Sequence, residues 1–417
     1  MPVTTHVYKR GNNSMGVYRH SDGTIKLYKK GLVGEWQQLG SDIQGENNGD
    51  SFGKSVAISS NGNRIIIGAD EESGGGFTAG YARVFDWNGS AWTQVGSDID
   101  AQTSSERFGH SVAISSDGSR IAVGALLHDS NKGTVRVYDY IDSSWSQVGS
   151  DIDGESTGDR AAQIAMNSDG SKIVIGATLN DDAGSNAGSV RVYEYSDSSW
   201  SQLGGDIDGE AAGDKFGSSV AMSENGNRII VGSEFNDGGG SNAGHARVFD
   251  WNGSAWSQVG SDIDGASADD RVKSVAISSN GSRIAVGSWG ATGTGDVAYS
   301  AAGHVRVYDY VSSAWSQVGS SIEGVAANEY VGYSVAMSSD GGRIATGAVG
   351  HSSSKGCVRV YDYISSAWTK VGSDIVGTSN DDNFGRSVAL SSDGTRLVGG
   401  TDQDNTEEGY VRVFKEI

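Results

Sequence analysis

The chain has one cysteine, Cys357, and one proline, Pro2, in 417 residues. A single cysteine excludes an internal disulfide. With a single proline, and with 63 glycines in no Gly-X-Y period, a collagen-like chain is excluded too. No run approaches the roughly 18 apolar residues of a membrane helix, so no membrane insertion is expected. The start, Met1-Pro2-Val3-Thr4-Thr5-His6, lacks the apolar core of a secretory signal. Cations are scarce, with 31 Lys and Arg against 52 Asp and Glu and a net charge of −21. A duplex nucleic-acid partner needs clustered Lys and Arg, so none is expected. Anionic membranes are disfavoured by the same charge. Ten Trp and sixteen Tyr argue against a disordered chain.

What is present is a repeat. A Trp-x-(Gln/Lys)-(Val/Leu)-Gly element begins at Trp36, Trp92, Trp145, Trp200, Trp256, Trp315 and Trp368, spaced 53 to 59 residues apart. Three further elements share the period. Ser-Val-Ala-like runs begin at Ser55, Ser111, Gln163, Ser219, Ser274, Ser334 and Ser387. Arg-Ile-Ala-Val-Gly-Ala-like runs begin at Arg64, Arg120, Lys172, Arg228, Arg283, Arg343 and Arg396. Arg-Val-Tyr-Asp-like runs begin at Arg83, Arg136, Arg191, Arg247, Arg306, Arg359 and Arg412. All are short, β-branched or aromatic, and show no helical period. Four short strands per unit, seven times over, predict an all-β fold: a seven-bladed β-propeller of four-stranded antiparallel blades. The strands are termed a, b, c and d in the order Ser-Val-Ala, Arg-Ile, Arg-Val-Tyr, Trp. Asn-Gly or Asp-Gly stands between a and b in every unit, from Asn61-Gly62 to Asp393-Gly394. These dipeptides predict a–b hairpins of type I′.

The chain ends after a seventh c strand, whereas a Trp strand at Trp36 precedes any a strand. Pairing the two would close the ring without an exposed edge. Residues 31–417 are therefore expected to form one propeller. Residues 1–30 carry Lys9, Arg10, Arg19, Lys26, Lys29 and Lys30 against Asp22 alone. They read either as a basic arm, docked on the acidic body or tethered to an anchoring partner, or as strands of a degenerate extra blade.

Length varies almost only in the b–c loops, which share one face with the d–a loops. Binding residues sit on loops carried by a rigid scaffold, so that face is the expected recognition surface. Its candidate ligand-binding residues are Trp289, Tyr299, Phe77, His128, Phe235, Asn236 and His351, with Leu126 in a related loop. Trp289 alone among the ten Trp falls outside the repeat positions, and on an exposed loop tip it would anchor a sugar ring or a protein. An acidic residue recurs before each a strand: Asp50, Glu106, Asp159, Asp214, Asp270, Glu329 and Asp382. Such a ring either attracts cations or accepts turn amides. The repeat Trp residues are expected to wedge between blades. The c-strand Arg and the acid three residues on are expected to make inter-blade contacts.

Phe52-Gly53-Lys54-Ser55-Val56-Ala57 followed by Arg64-Ile65-Ile66-Ile67-Gly68-Ala69 resembles the Phe-Gly…Gly-Ala repeat of integrin-α-type propellers. The Trp-x-Gln-x-Gly-Ser-Asp-Ile spacing resembles large repeat proteins of marine microbes and their viruses. The resemblance covers residues 36–414 and implies the propeller fold. Integrin-type repeats often hold calcium between their first two strands. Ser115-Ser116-Asp117-Gly118-Ser119-Arg120 has too few carboxylates for that. Phe-Gly is lost at Ala161-Ala162 and Val272-Lys273. Seven scattered His lack metal-ligand spacing, and no Gly-x-Ser-x-Gly elbow or phosphate loop occurs. No catalytic site, metal or cofactor is expected. The reading is a non-enzymatic recognition or adhesion propeller that binds a cell-surface glycan or protein, extracellular or on a virion surface. The alternatives are a structural platform in a larger assembly and a glycan-processing enzyme.

Overall fold

The computed structural model describes residues 15–19, 25–29, 34–71, 79–293, 300–401 and 408–417. Seven antiparallel sheets form the blades of a propeller. Blade 1 has strands a (Phe52–Ile58), b (Arg64–Ala69), c (Tyr81–Trp87) and d (Trp92–Gln94). The other a strands are Phe108–Ile114, Ala161–Met166, Phe216–Met222, Val272–Ile277, Val331–Met337 and Ser387–Leu390. Strands b follow at Arg120–Ala125, Lys172–Ala177, Arg228–Ser233, Arg283–Ser288, Arg343–Ala348 and Arg396–Gly400. Strands c are Thr134–Ile141, Ser189–Ser196, His245–Trp251, His304–Val311, Cys357–Ile364 and Tyr410–Glu416. Strands d of blades 2 to 6 are Ser144–Gln147, Ser199–Gln202, Trp256–Gln258, Ala314–Gln317 and Ala367–Val376.

The d strand of blade 7 is Trp36–Gln38, which pairs antiparallel with the C-terminal strand, Trp36 opposite Glu416. The ring therefore closes between the two ends of the propeller as expected. Most blades hold one strand more than the four predicted. After the Trp strand the chain crosses a glycine at positive φ (Gly96, φ +76°) and pairs again with the top of c, as Ile99–Asp100 does in blade 1. Met15–Arg19 and Ile25–Lys29 pair with each other in a separate two-stranded sheet and with no blade. They add no eighth blade.

Strand b is buried on both faces, which is why it reads as a continuous apolar run. Ile65 and Ile67 pack with Val398, Val411 and Val413 of blade 7, while Ile66 packs with Phe108, Ile121 and Val123 of blade 2. The core thus lies between blades. The repeat Trp caps it: Trp145 Nε1 donates to the Val95 carbonyl of the preceding blade at 2.9 Å, and five other repeat Trp do likewise.

The polar contact between blades differs from expectation. The c-strand acid pairs within its own blade with the arginine of b, not with the arginine of c. Arg64 grips Asp86 through Nε at 2.6 Å, donates to Gly118 O of blade 2 at 2.9 Å and lies over the Tyr140 ring. The b-strand arginine is the clip, because it emerges at the hairpin end where the next blade's turn presents a carbonyl.

The a–b hairpins are present, but their turns are not type I′. Only the glycine has positive φ (Gly62, +71°), while its Asn or Asp neighbour does not. Gly62 N donates to Ser59 O and Asn63 N to Asn61 Oδ1, so a type I turn precedes a left-handed glycine. The loop of five residues decides this. Type I′ turns do occur, in the two-residue c–d loops, where Asp142 (φ 48°) and Ser143 (φ 66°) both adopt positive φ. The a–b turns are linked around the axis by backbone bonds of 2.8 to 3.0 Å, from Ser60 N to Ser116 O and onward through Ser168, Glu224, Ser279, Ser339 and Ser392 back to Ser60 O. That circuit closes one end of the propeller with seven equivalent turns.

Candidate functional site

The opposite end carries the d–a and b–c loops. Parallel bridges such as Gly80 to Phe108 and Gly188 to Phe216 tie four of the b–c loops to the start of the next a strand. Neighbouring a strands touch around the ring, so they line the axis. Their starts form the axial mouth on this end.

The recurrent acids build the mouth. All seven are at most 3 % exposed. Asp50 Oδ2 accepts the Asn47 amide at 3.0 Å, Asp270 Oδ2 the Ala266 amide at 2.7 Å, and the other five accept turn amides likewise. They are turn acceptors rather than an exposed ring of anions. In blades 2 and 6 the acid is Glu and reaches further. Glu106 meets Arg136 Nη1 at 2.8 Å and His128 Nδ1 at 3.0 Å, and Glu329 meets Arg359 Nη2 and His351 Nδ1, each at 2.8 Å. Burial pushes both carboxyls up, but hydrogen bonds led by Arg136 and Arg359 outweigh it and hold each at about 2.

The residue after each acid has left-handed backbone: Ser51, Arg107, Arg160, Lys215, Arg271, Tyr330 and Asn383, with φ between 52° and 58°. Non-glycine residues in this region cost about 1–2 kcal/mol each, and such strain concentrates at functional sites. Four of the seven are Arg or Lys. A second set directly precedes the Ser-Val-Ala-like run: Lys54, His110, Lys273, Tyr333 and Arg386 among them. In blades 1, 2, 4 and 6 a two-residue bulge such as Gly109-His110 separates the paired positions Phe108 and Ser111. Where Phe-Gly is lost, at Ala162 and Lys273, the bulge shrinks to one residue.

Side chains from blades 4 to 7 form a continuous arc. Lys215 Nζ lies 4.4 Å from the Phe235 ring centre. Arg271 sits between Phe235 at 5.7 Å and Trp289 at 5.3 Å. Trp289 meets Tyr330 at 5.4 Å and Tyr333 at 6.2 Å, both edge to face. Arg386 lies 5.0 Å from the Tyr333 ring. Glu234 underpins the arc, accepting from Trp289 Nε1 at 3.1 Å and Lys273 Nζ at 3.0 Å. Across the mouth, His110 Nδ1 meets Asp70 at 2.9 Å, with Arg107 3.2 Å from the same carboxyl.

Trp289 is thus not on an exposed loop tip. It directly follows strand b of blade 5 and is half-buried. Phe235 joins it in the arc. His128 and His351 occupy equivalent left-handed turns, His128–Asn131 and His351–Ser354, tied to the buried glutamates of blades 2 and 6. Asn236 is 5 % exposed and donates to Asp214 Oδ2 at 2.9 Å, which makes it part of the scaffold. Leu126 is buried as well. Phe77 and Tyr299 lie outside the described residues. Sequence reading missed the cations and tyrosines beside the recurrent acid. Reading down the column one place after that acid would have found Arg107, Arg160, Lys215, Arg271 and Tyr330. Among the described residues, four groups bring three metal-capable side chains within 4.8 Å of one another.

A family model described as "FG-GAP repeat" matches residues 208–249, from the end of the third blade's sheet to strand c of blade 4. No curated protein matches the chain. Among solved structures, a chain of Kuenenia stuttgartiensis hydrazine synthase is similar with a TM-score of 0.58 and 15 % identity, over 89 % of this chain and 97 % of that one. At that identity the likeness concerns the fold. With 734 solved chains matching, the fold by itself selects no function.

Proposed function

We propose that this chain, an FG-GAP-like repeat β-propeller, is a non-enzymatic recognition module that binds an acidic glycan of a cell surface at its axial mouth. The observation that carries this reading is the arc of Lys215, Phe235, Arg271, Trp289, Tyr333 and Arg386, in a chain of net charge −21. Aromatic faces stack on the C–H faces of sugars, and guanidinium forks match carboxylate or sulfate. Lys215 and Arg271 of the arc stand on backbone held in the left-handed region, so these two cations are positioned before a ligand arrives. The buried mouth carboxylates are engaged by turn amides and arginines, which leaves them poorly suited to act as acid and base. This supports recognition over glycan processing. The reading implies an extracellular or virion-surface setting.

The test is a glycan array with cell binding, comparing the intact chain with Trp289→Ala and Arg271→Gln. Expected is binding to sialylated, uronated or sulfated glycans that weakens with salt and falls at least tenfold in both variants. Arg271→Gln keeps the fold, because Arg271 is half-buried at the rim. Equal binding by that variant, or no acidic glycan bound by the intact chain, overturns the reading.

A further inference from the structure

The start of strand c in blade 4 differs from that in blades 1, 2, 6 and 7. In blades 1, 2, 6 and 7 the c-strand arginine pairs through Nε with the aspartate of the d–a segment. These are Arg83 with Asp98, Arg136 with Asp151, Arg359 with Asp374 and Arg412 with Asp42, at 2.8 to 3.1 Å. In blade 4, Arg247 turns away. Its Nη2 donates to Asp208 O at 2.7 Å, its guanidinium lies 4.2 Å from the Phe216 ring centre, and its Nε has no hydrogen-bond partner. Asp262, the matching aspartate, is left facing His245.

His245 is 1 % exposed, and neither of its ring nitrogens has a hydrogen-bond partner. Its Nδ1 lies 3.8 Å from Asp262 Oδ2 and 3.8 Å from Glu210 Oε2. These separations are too long for hydrogen bonds. They sit close to the roughly 3.4 Å between neighbouring ligand atoms on a tetrahedral zinc ion. Buried polar atoms in native proteins have partners, so an orphaned imidazole aimed at two carboxylates points to a group between them.

We propose that His245 Nδ1, Glu210 and Asp262 bind a divalent transition-metal ion of the Zn²⁺ class. An imidazole with two carboxylates favours such ions over the all-oxygen preference of Mg²⁺ and Ca²⁺. Gln258 Nε2 donates to Asp262 Oδ1 at 2.6 Å and orients that carboxylate. Arg247 stands beside the site, its Nη1 3.6 Å from Glu210 Oε1.

The other three metal-capable groups lack a free imidazole. His128 is held by Glu106 and Asp151 by Arg136. His351 is held by Glu329, and burial pushes the Cys357 thiol beside it up to about 12. Glu155, Asp182 and Asp206 are carboxylates alone.

The test uses the full chain, stripped with a chelator and titrated with Zn²⁺ by calorimetry, with Co²⁺ absorption as the spectroscopic readout. Expected is one saturable site per chain, a rise in Tm on binding, and a tetrahedral Co²⁺ spectrum. His245→Gln abolishes all three. Glu210→Gln, at an exposed position that leaves folding intact, weakens binding at least about tenfold. The mouth variant Arg271→Gln binds Zn²⁺ normally, which separates this site from glycan recognition. Absence of saturable binding, or wild-type affinity in Glu210→Gln, overturns the proposal.

Discussion

Each repeat Trp combines three contacts whose balance can be measured. Trp145 donates to Val95 O, lies 5.0 Å from the Tyr140 ring and is 6.0 Å from the Arg64 guanidinium of the preceding blade. Its indole is only half-buried, so truncation removes less apolar burial than in a closed core. Trp145→Ala is expected to cost about 2–4 kcal/mol, toward the lower side of the range for buried Trp. Trp145→Phe keeps most of the packing and loses the hydrogen bond, leaving the Val95 carbonyl short of a donor, for about 1 kcal/mol. Trp36 offers the contrast. It sits at the ring closure, where its buried Nε1 has no hydrogen-bond partner, beneath Arg343 at 5.7 Å. Replacing it with Phe removes an unsatisfied donor rather than a bond. Trp36→Phe should therefore leave the urea midpoint unchanged or raise it, while Trp145→Phe lowers it. A loss at Trp36 equal to that at Trp145 would mean that the indole nitrogen is satisfied in solution.

Among the elements, the hairpins show where sequence reading succeeds and stops. Asn-Gly and Asp-Gly mark every a–b reversal, and seven copies made that reversal plain. Turn type was another matter, because it follows loop length as well as dipeptide. The five-residue a–b loop admits a type I turn with one left-handed glycine, whereas the two-residue c–d loop of blade 2 requires positive φ at Asp142 and Ser143. No Asn-Gly marks that site, whose two central residues are exposed. Two opposite shifts in thermal stability follow. Asp142→Asn with Ser143→Gly relieves strain and should stabilise by about 0.5–1 kcal/mol. Gly62→Ala forces a side chain into φ +71° with its Cβ 2.5 Å from Arg396 Cδ, and should destabilise by about 1–2 kcal/mol. The fifth strand escaped the sequence for a related reason: Ile-Asp is two residues long and carries no period of its own.

At the scale of the whole molecule, blade number and closure were legible because each is a property of the repeat and its ends. The mouth was not. Lys215, Arg271, Trp289, Tyr333 and Arg386 lie far apart in the chain, and only the rotation of one blade onto the next brings them together. The metal-capable triad is hidden likewise, since Glu210, His245 and Asp262 have no motif spacing. The same assembly sets how the molecule responds to acid. His304, 3 % exposed at the start of strand c in blade 5, is held neutral by burial and then by the Arg306 charge, its pKa drawn down to about 3. Glu323 stands opposite it in the sheet. An unfolded histidine takes up its proton near pH 6.5, so the unfolded chain binds more protons from there downward and stability falls as pH drops toward 3. Glu106 and Glu329 act in the same direction over a lower window. Their folded carboxyls titrate at about 2 against an ordinary 4.5, so their contribution is complete above 4.5 and lost as pH falls toward 2. The urea midpoint should therefore decline from pH 6.5 and steepen below 4.5. His304→Phe, which fills the same buried space without a titrating group, should make the upper part of the curve shallower, the remaining slope coming from buried His245 and His110, and leave the lower part intact. An unchanged slope between pH 6.5 and 4.5 in His304→Phe would show that His304 reaches a proton acceptor in solution.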